Sequence, residues 1–275
     1  YPDVLTELRT ARMETPTSPM TASHMFATPR APRLRNTALT AKAMAMADLI
    51  GAQDALQWTT VRMVLDSLSG KLRLIPTTGR ALEPTPALLA TRRDPAVPAA
   101  STFTDRLLED PVMLQAYVAC LDSLSNETAV LDLWTSVEAA TGRLERIVMA
   151  EYTSAKADRS TLDRNRVLIQ RSLYPREAVL AYVRPARSTT YSIAVANVHS
   201  LPVQVLALVA GKDTIPVERP LLLPPREPGR PLRYVRVEFA AERTDQRTLH
   251  VLVTIPGLQG SRTAEVRMWS VLDAE

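Results

Sequence analysis

The sequence predicts an α+β protein: a mostly helical region with one small β-hairpin up to about Pro175, followed by a β-sandwich to Glu275. Three observations lead there. Apolar residues recur at spacings of three and four in several runs before Leu173. One alternating stretch, from Val61 to Ile75, folds back on itself at a glycine. Beyond Pro175 the apolar period changes to two, in short runs rich in β-branched residues and bounded by Gly, Pro or polar turns.

Composition narrows the function classes. With 275 residues, 46% hydrophobic and 23% charged, the chain has room for two ordinary globular domains, each with its own core. No apolar run reaches the ~18 residues of a membrane span, so no transmembrane segment is expected. The net charge of +4 is dispersed among 29 acidic residues, without the basic stripe and interleaved aromatics of a nucleic-acid binder. Arg outnumbers Lys by roughly seven to one, which reads as coding bias before any binding property. Three scattered histidines, His24, His199 and His250, and the single Cys120 leave almost nothing for a zinc site, and Cys120 reads as a buried structural thiol. Neither a Walker A loop, a dinucleotide fingerprint nor a Gly-x-Ser-x-Gly elbow occurs. The chain starts at Tyr1 and shows no signal peptide, so it reads as a fragment of a longer protein.

In chain order, Tyr1 to Asn36 is broken by five prolines, with one short helix expected from about Val4 to Glu14. A central helix follows from Thr37, capped by Thr37 or Thr40 and ending near Trp58, with Leu39, Ala43, Met46, Leu49 and Ile50 on its apolar side. Asp48 and Asp54 lie six residues apart, on opposite sides of a continuous helix, and are read first as solvated or capping groups. In the hairpin, Val61, Met63 and Leu65 share a face, and Asp66-Ser-Leu-Ser-Gly70 is the turn into Lys71 to Ile75. Arg80 to Ser101, with four prolines, reads as a long surface loop.

Asp110-Pro111 is a strong helix start, and Met113, Leu114, Tyr117, Val118, Leu121 and Leu124 form its stripe. Ser125-Asn126 opens another helix, in which Val130, Leu131, Leu133, Trp134, Val137, Leu144, Ile147 and Val148 repeat; Trp134 and Trp269 are expected in cores. Ser160 with Asp163 resembles a capping box for a helix from Thr161 to Leu173. Strands are expected at 179–183, 191–198, 203–209, 234–239, 249–255 and 266–271, with a weak one at 214–217, and His199 and His250 in strands. Pro216 to Pro231, with six prolines, is expected to be a stiff loop.

The run Asp48-Leu-Ile-Gly-Ala-Gln-Asp-Ala-Leu-Gln-Trp58 and its sequel Thr59-Thr-Val-Arg62 to Lys71-Leu-Arg-Leu-Ile75 resemble the core of the CotH-like atypical protein kinases, in the long bacterial variant with a β-rich tail. Asp48, Leu49, Gly51, Trp58, Arg62, Gly70, Leu72 and Ile75 carry the likeness. Leu108-Glu-Asp-Pro111, Tyr117, Leu121-Asp-Ser-Leu-Ser125, the Asn165-Arg166 and Ile169 element before Leu173-Tyr-Pro175, and Asn197-Val-His-Ser-Leu-Pro-Val203 extend it. The resemblance implies a kinase-C-lobe-like helical region whose N-lobe is absent from this chain, and it gives Asp54 the place of the catalytic base. It also implies ATP and Mg²⁺ for an active member. Here Thr60 stands where the family has a metal-holding Asn, and Pro76-Thr-Thr-Gly79 where it has a metal-binding Asp. Phosphoryl transfer needs a carboxylate to hold the metal that bridges the phosphates.

The expectation is therefore a degenerate, inactive kinase-like fragment that binds a protein partner as a scaffold and needs no cofactor, in the cell envelope as the resemblance implies. Two alternatives stay open. One is an active Ser/Thr kinase using Asp54 with Glu83 or Asp94 as substitute metal ligand; the other is a ligand-binding β-sandwich with an exposed aromatic groove.

Overall fold

The computed structural model describes residues 35–57, 59–66, 68–75, 82–91, 102–150, 159–183, 191–239 and 248–269. The helix expected at Val4 to Glu14 lies outside them. The chain is an α+β protein that divides into two compact units, Tyr1–Leu173 and Tyr174–Glu275.

The first unit is built on helix α1, Thr37–Ile50. Asn36, rather than a threonine, caps it: its side chain accepts from Leu39 N at 3.2 Å. The buried face comprises Thr40, Ala41, Met44, Ala45, Ala47, Asp48 and Leu49, so the stripe expected from the sequence is about one residue out of register. The helix is apolar almost all round. With Thr40 read as a possible cap and Asp48 as a solvated or capping group, the pattern pointed to Leu39, which is in fact exposed. The helix stops at Gly51 (φ 70°, ψ 27°), seven residues before the predicted end, because the left-handed cap lets Ala52 N reach the Ala47 carbonyl. A 3₁₀ turn, Gln53–Leu56, then leads to strands β1, Arg62–Asp66, and β2, Lys71–Ile75, paired antiparallel from Arg62 with Ile75 to Asp66 with Lys71. Asp66 organises the turn by accepting from Leu68 N, Ser69 Oγ and Arg73, and these donors hold its carboxyl below the usual carboxylate range.

Helix α2, Phe103–Leu108, opens with a Thr102/Asp105 capping box. Helix α3, Pro111–Leu124, begins as its Asp-Pro signal predicts, with Asp110 accepting from Val112 N. The same Asp110 carboxylate pairs with Arg35, whose side chain is fully buried. Arg35 also bridges Leu72 of β2, so this ion pair fixes both the entry to α1 and the start of α3. Met113, Tyr117, Val118 and Leu121 pack against α1; each such side chain taken from water contributes about 2 kcal/mol.

Helix α4, Glu127–Val148, breaks the expected pattern: of its apolar stripe only Val130 is buried, and Leu131, Val137, Leu144, Ile147 and Val148 are exposed, with Trp134 half-buried. Helix α5, Arg159–Leu173, returns to the core through Leu162, Asn165, Ile169 and Leu173. Ser160 is already inside this helix, and Asp163 faces Arg159 and Arg166 instead of closing a capping box.

The second unit holds β3, Val179–Val183; β4, Tyr191–Asn197; β5, Val203–Ala210; β6, Asp213–Leu223; β7, Val235–Phe239; β8, Leu249–Thr254; and β9, Arg262–Met268. They form a mostly antiparallel sheet in the order β6-β5-β8-β9-β3-β4-β7, with β3 and β9 the one parallel pair in that order. The end strands β6 and β7 approach each other, so the sheet curls back on itself. β6 is a correction: it runs through Pro216 and Pro220, which the sequence placed in a stiff loop. As an end strand it pairs only with β5, so a missing N–H on its other side breaks no ladder bond.

His250 lies in β8, but His199 falls in the turn after β4 and is buried. Its Nδ1 accepts from Leu201 N at 3.0 Å, and its backbone N–H donates to Asn197 Oδ1 at 2.7 Å. Asn197 Nδ2 in turn donates to the Leu201 and Pro224 carbonyls. Replacing Asn197 by alanine strips a donor from two carbonyls and an acceptor from one N–H in a buried turn. We expect a loss of about 2 kcal/mol, read as a lowered urea midpoint for the sheet transition.

Candidate functional site

The stretch that carried the family likeness forms one connected piece of the first unit. At its centre is Asp48, completely buried in the last turn of α1. Its carboxylate accepts from the Gln53 side-chain amide, from the Tyr117 hydroxyl of α3 and from Leu89 N at 3.3 Å. Burial pushes the Asp48 carboxyl up from 3.8 to about 7, against the pull of these three donors. The same burial, together with the facing carboxylate, drives the Tyr117 hydroxyl well above its ordinary range. Asp48 is thus neither solvated nor aimed at a cleft; it is the acceptor on which three chain segments converge.

One of those segments is the described part of the supposed surface loop, residues 82–91. It is strapped across the end of α1. Leu82 N donates to the Ile50 carbonyl at 2.6 Å, Thr85 Oγ1 to the Asp48 carbonyl at 2.6 Å, and Gln53 Nε2 to the Ala87 carbonyl at 2.7 Å. Thr85, Leu88 and Leu89 are buried. Asn165 of α5 clamps the strap from the other side, accepting from Thr85 N at 2.8 Å and donating to the Glu83 carbonyl at 2.9 Å and the Leu49 carbonyl at 3.0 Å. Gly51 makes this approach possible, since a Cβ built there would sit 1.9 Å from the Glu83 carbonyl oxygen.

Asp54 lies in the 3₁₀ turn, half-buried, with its Oδ1 enclosed and without a hydrogen-bond partner among the described residues. Its backbone carbonyl accepts from Thr60 Oγ1, which also lies 3.3 Å from the Gln57 carbonyl, while Val61 N closes onto Gln57 at 2.8 Å. Thr60, at the position that the resemblance gives to a metal-holding amide, thus uses its hydroxyl to fix the turn that carries Asp54. This hydroxyl adds no charge to a cation site, and divalent cations are held with carboxylates among their oxygen ligands. Of the substitute ligands considered, Glu83 is exposed on the strap, with its backbone against Gly51; Asp94, Pro76 to Gly79 and Trp58 lie outside the described residues. Cys120 is half-buried, and desolvation raises its thiol.

Sequence reasoning missed Gln53, Thr85, Tyr117 and Asn165 as parts of this assembly. The signal for Asn165 was present, because it shares the α5 stripe with Leu162, Ile169 and Leu173, where a polar residue must find partners inside. Asp48, flanked by Ala47 and Leu49 in an apolar run, carried the same signal. The strap had no comparable mark, since its prolines match a surface loop equally well.

In the second unit, Tyr182, Tyr234 and Trp269 meet edge to face, with centroids 5.2 to 5.9 Å apart. Trp269 is half-buried in this cluster. An open cleft of about 560 Å³ lies beside β3 and β9, where Arg267 pairs with Glu177 and the Arg262 guanidinium stacks 4.6 Å over the Tyr174 ring. Among the described residues no helix is long and apolar enough to cross a membrane, and no group of three or more His, Cys, Asp or Glu is placed to hold a metal ion. No protein-family model matches the chain, and comparison with curated proteins and with solved structures returns no match.

Proposed function

We propose that this chain is a CotH-like, kinase-C-lobe-like helical region joined to a β-sandwich, in which phosphoryl-transfer chemistry has decayed and which serves as a protein-binding scaffold. The observation that carries the reading is Thr60. Its hydroxyl donates to the Asp54 and Gln57 carbonyls, so the residue at the place that the resemblance gives to a metal-holding amide is used to fix the turn that carries the candidate base. Asp48 supports it too: the carboxylate opening the motif is closed off by Gln53, Tyr117 and Leu89.

One observation favours the active alternative. The enclosed Asp54 Oδ1 has no hydrogen-bond partner among the described residues, as a base awaiting a substrate hydroxyl would have. The two readings separate in a transfer assay with labelled ATP and Mg²⁺ or Mn²⁺, run on the longest form of the protein that contains this chain, beside its Asp54→Ala variant. The scaffold reading expects both to remain at background. Removing a buried oxygen that makes no bond also leaves the urea midpoint unchanged or slightly higher. Phosphate transfer well above background that disappears in Asp54→Ala would overturn the scaffold reading.

A further inference from the structure

The small sheet of the first unit has two strands, so among the described residues β1 pairs on one side only, with β2. None of its five residues is buried: Arg62 is exposed, Val64 is 47% exposed, and Met63, Leu65 and Asp66 are half-buried. An end strand is usually kept from further pairing by a lysine, a proline or a bulge. β1 has none of these, since its register with β2 is unbroken and its centre is Val64 between Met63 and Leu65. It carries two charges, opposite in sign and one at each end, Arg62 and Asp66.

We propose that β1 is a self-association edge, to which β1 of a second copy of the chain adds antiparallel about a two-fold axis through Val64. The strand Arg62-Met-Val-Leu-Asp66 is complementary to its own reverse. In that register Arg62 of each copy lies opposite Asp66 of the other, Met63 opposite Leu65, and Val64 opposite Val64. Two ion pairs thus flank a Val–Val contact on one face, two Met–Leu contacts lie on the other, and all five cross-strand pairs are favourable. Parallel pairing would set Arg62 on Arg62 and Asp66 on Asp66. An antiparallel shift by two residues keeps the faces but loses both ion pairs. The hairpin's other charges, Lys71 and Arg73, stand on β2, two strand spacings or about 10 Å from the nearest residues of the second copy, where salt screens them. Asp66 accepts from Leu68 N, Ser69 and Arg73, and a carboxylate has about four acceptor sites, so one is left for the arginine of the other copy. On the far side of β2, Leu72 is bridged to Arg35, so the assembly closes at two chains. This edge is independent of the kinase-like reading.

A five-residue edge makes a small interface, with a Kd on the order of 100 µM. Sedimentation of the chain from about 20 µM to about 1 mM is therefore expected to show the mass rising from one chain towards two. Val64→Lys, at an exposed position, is expected to hold the mass of one chain throughout with the urea midpoint little changed. Arg62→Glu, which sets like charges opposite Asp66, is expected to weaken association about tenfold. Register is read in a Cys120→Ser background under mild oxidation. Val64→Cys chains are expected to cross-link to one another, because the axis sets this residue against itself. Arg62→Cys chains are not, since their two copies stand four residues apart along the strands, about 13 Å. A single-chain mass up to about 1 mM, an assembly larger than two, or a dimer indifferent to Val64→Lys would overturn the proposal. Cross-linking of Arg62→Cys as ready as that of Val64→Cys would overturn the antiparallel register.

Discussion

Replacing Gly51 by alanine is expected to lower the stability of the helical unit by about 4 kcal/mol. Two costs combine. At φ 70° an L-residue carries the strain of the left-handed region, about 1 kcal/mol. The added methyl would also lie 1.9 Å from the Glu83 carbonyl oxygen and 2.7 Å from its carbon. Those atoms are backbone, and no rotamer change moves them aside. The strap would have to lift, giving up the bonds from Leu82 to Ile50 and from Thr85 to Asp48, and with them the burial of Leu88 and Leu89. Urea unfolding reads the loss directly. Gly142→Ala is the control: mid-helix, with nothing within 4 Å, it is expected to stabilise α4 by about 0.5–1 kcal/mol. Equal effects at the two glycines would show that the strap is not held against Gly51.

How much of this was legible depends on whether the decisive contact lies within an element or between elements. The strands of the second unit stand within a few residues of their predicted positions because alternation is local and each run buries its own inward set, as β8 does through Leu249, Val251 and Val253. Asp110-Pro111 could likewise be read directly, since cap and first turn are neighbours in sequence. The failures share another physical cause. Helix α1 was set one residue out because a buried Asp was taken for a wet one, and partners as distant as Tyr117, 69 residues away, help to make its burial tolerable. The strap was taken for a wandering loop because its partners, Asn165 and Asp48, come from distant parts of the chain. Pro216 and Pro220 hid β6, because whether a strand lies at a sheet's end is not a property of its own residues. In α4 the period was right and the destination wrong: a hydrophobic stripe states that a face seeks cover and leaves open from which molecule. For the candidate site, Asp54 and Thr60 were marked in advance, whereas the network around Asp48 emerged only with the fold.

That network gives the second large effect, and its sign is unusual for a carboxylate. Asp48 titrates near 7 in the folded unit and near the ordinary 3.8 when unfolded, so between these values the folded chain holds a proton that the unfolded chain has released. Stability from this group is therefore fully present below pH 4 and is lost as pH rises through 7. The loss is on the order of 4 kcal/mol between pH 4 and pH 8, at 1.36 kcal/mol for each unit of separation. Carboxylates held low, such as Asp66, act in the opposite sense but below pH 4, and the comparison with Asp48→Asn separates Asp48 from the histidines between pH 5 and pH 8. Unfolding free energies measured across that window are expected to fall towards alkaline pH in the unmodified chain. In Asp48→Asn they are expected to be nearly flat, because the amide keeps an acceptor for Gln53 or Tyr117 and carries no proton to lose. Asp48→Ala should lower stability by about 3 kcal/mol near pH 7 and by more at lower pH, leaving the Gln53 amide, the Tyr117 hydroxyl and Leu89 N without their shared acceptor. A wild-type curve that rises from pH 5 to pH 8, or one that Asp48→Asn leaves unaltered, would mean that this carboxyl is ionised in the fold. The strap would then be anchored by a buried charge and not by a neutral carboxyl.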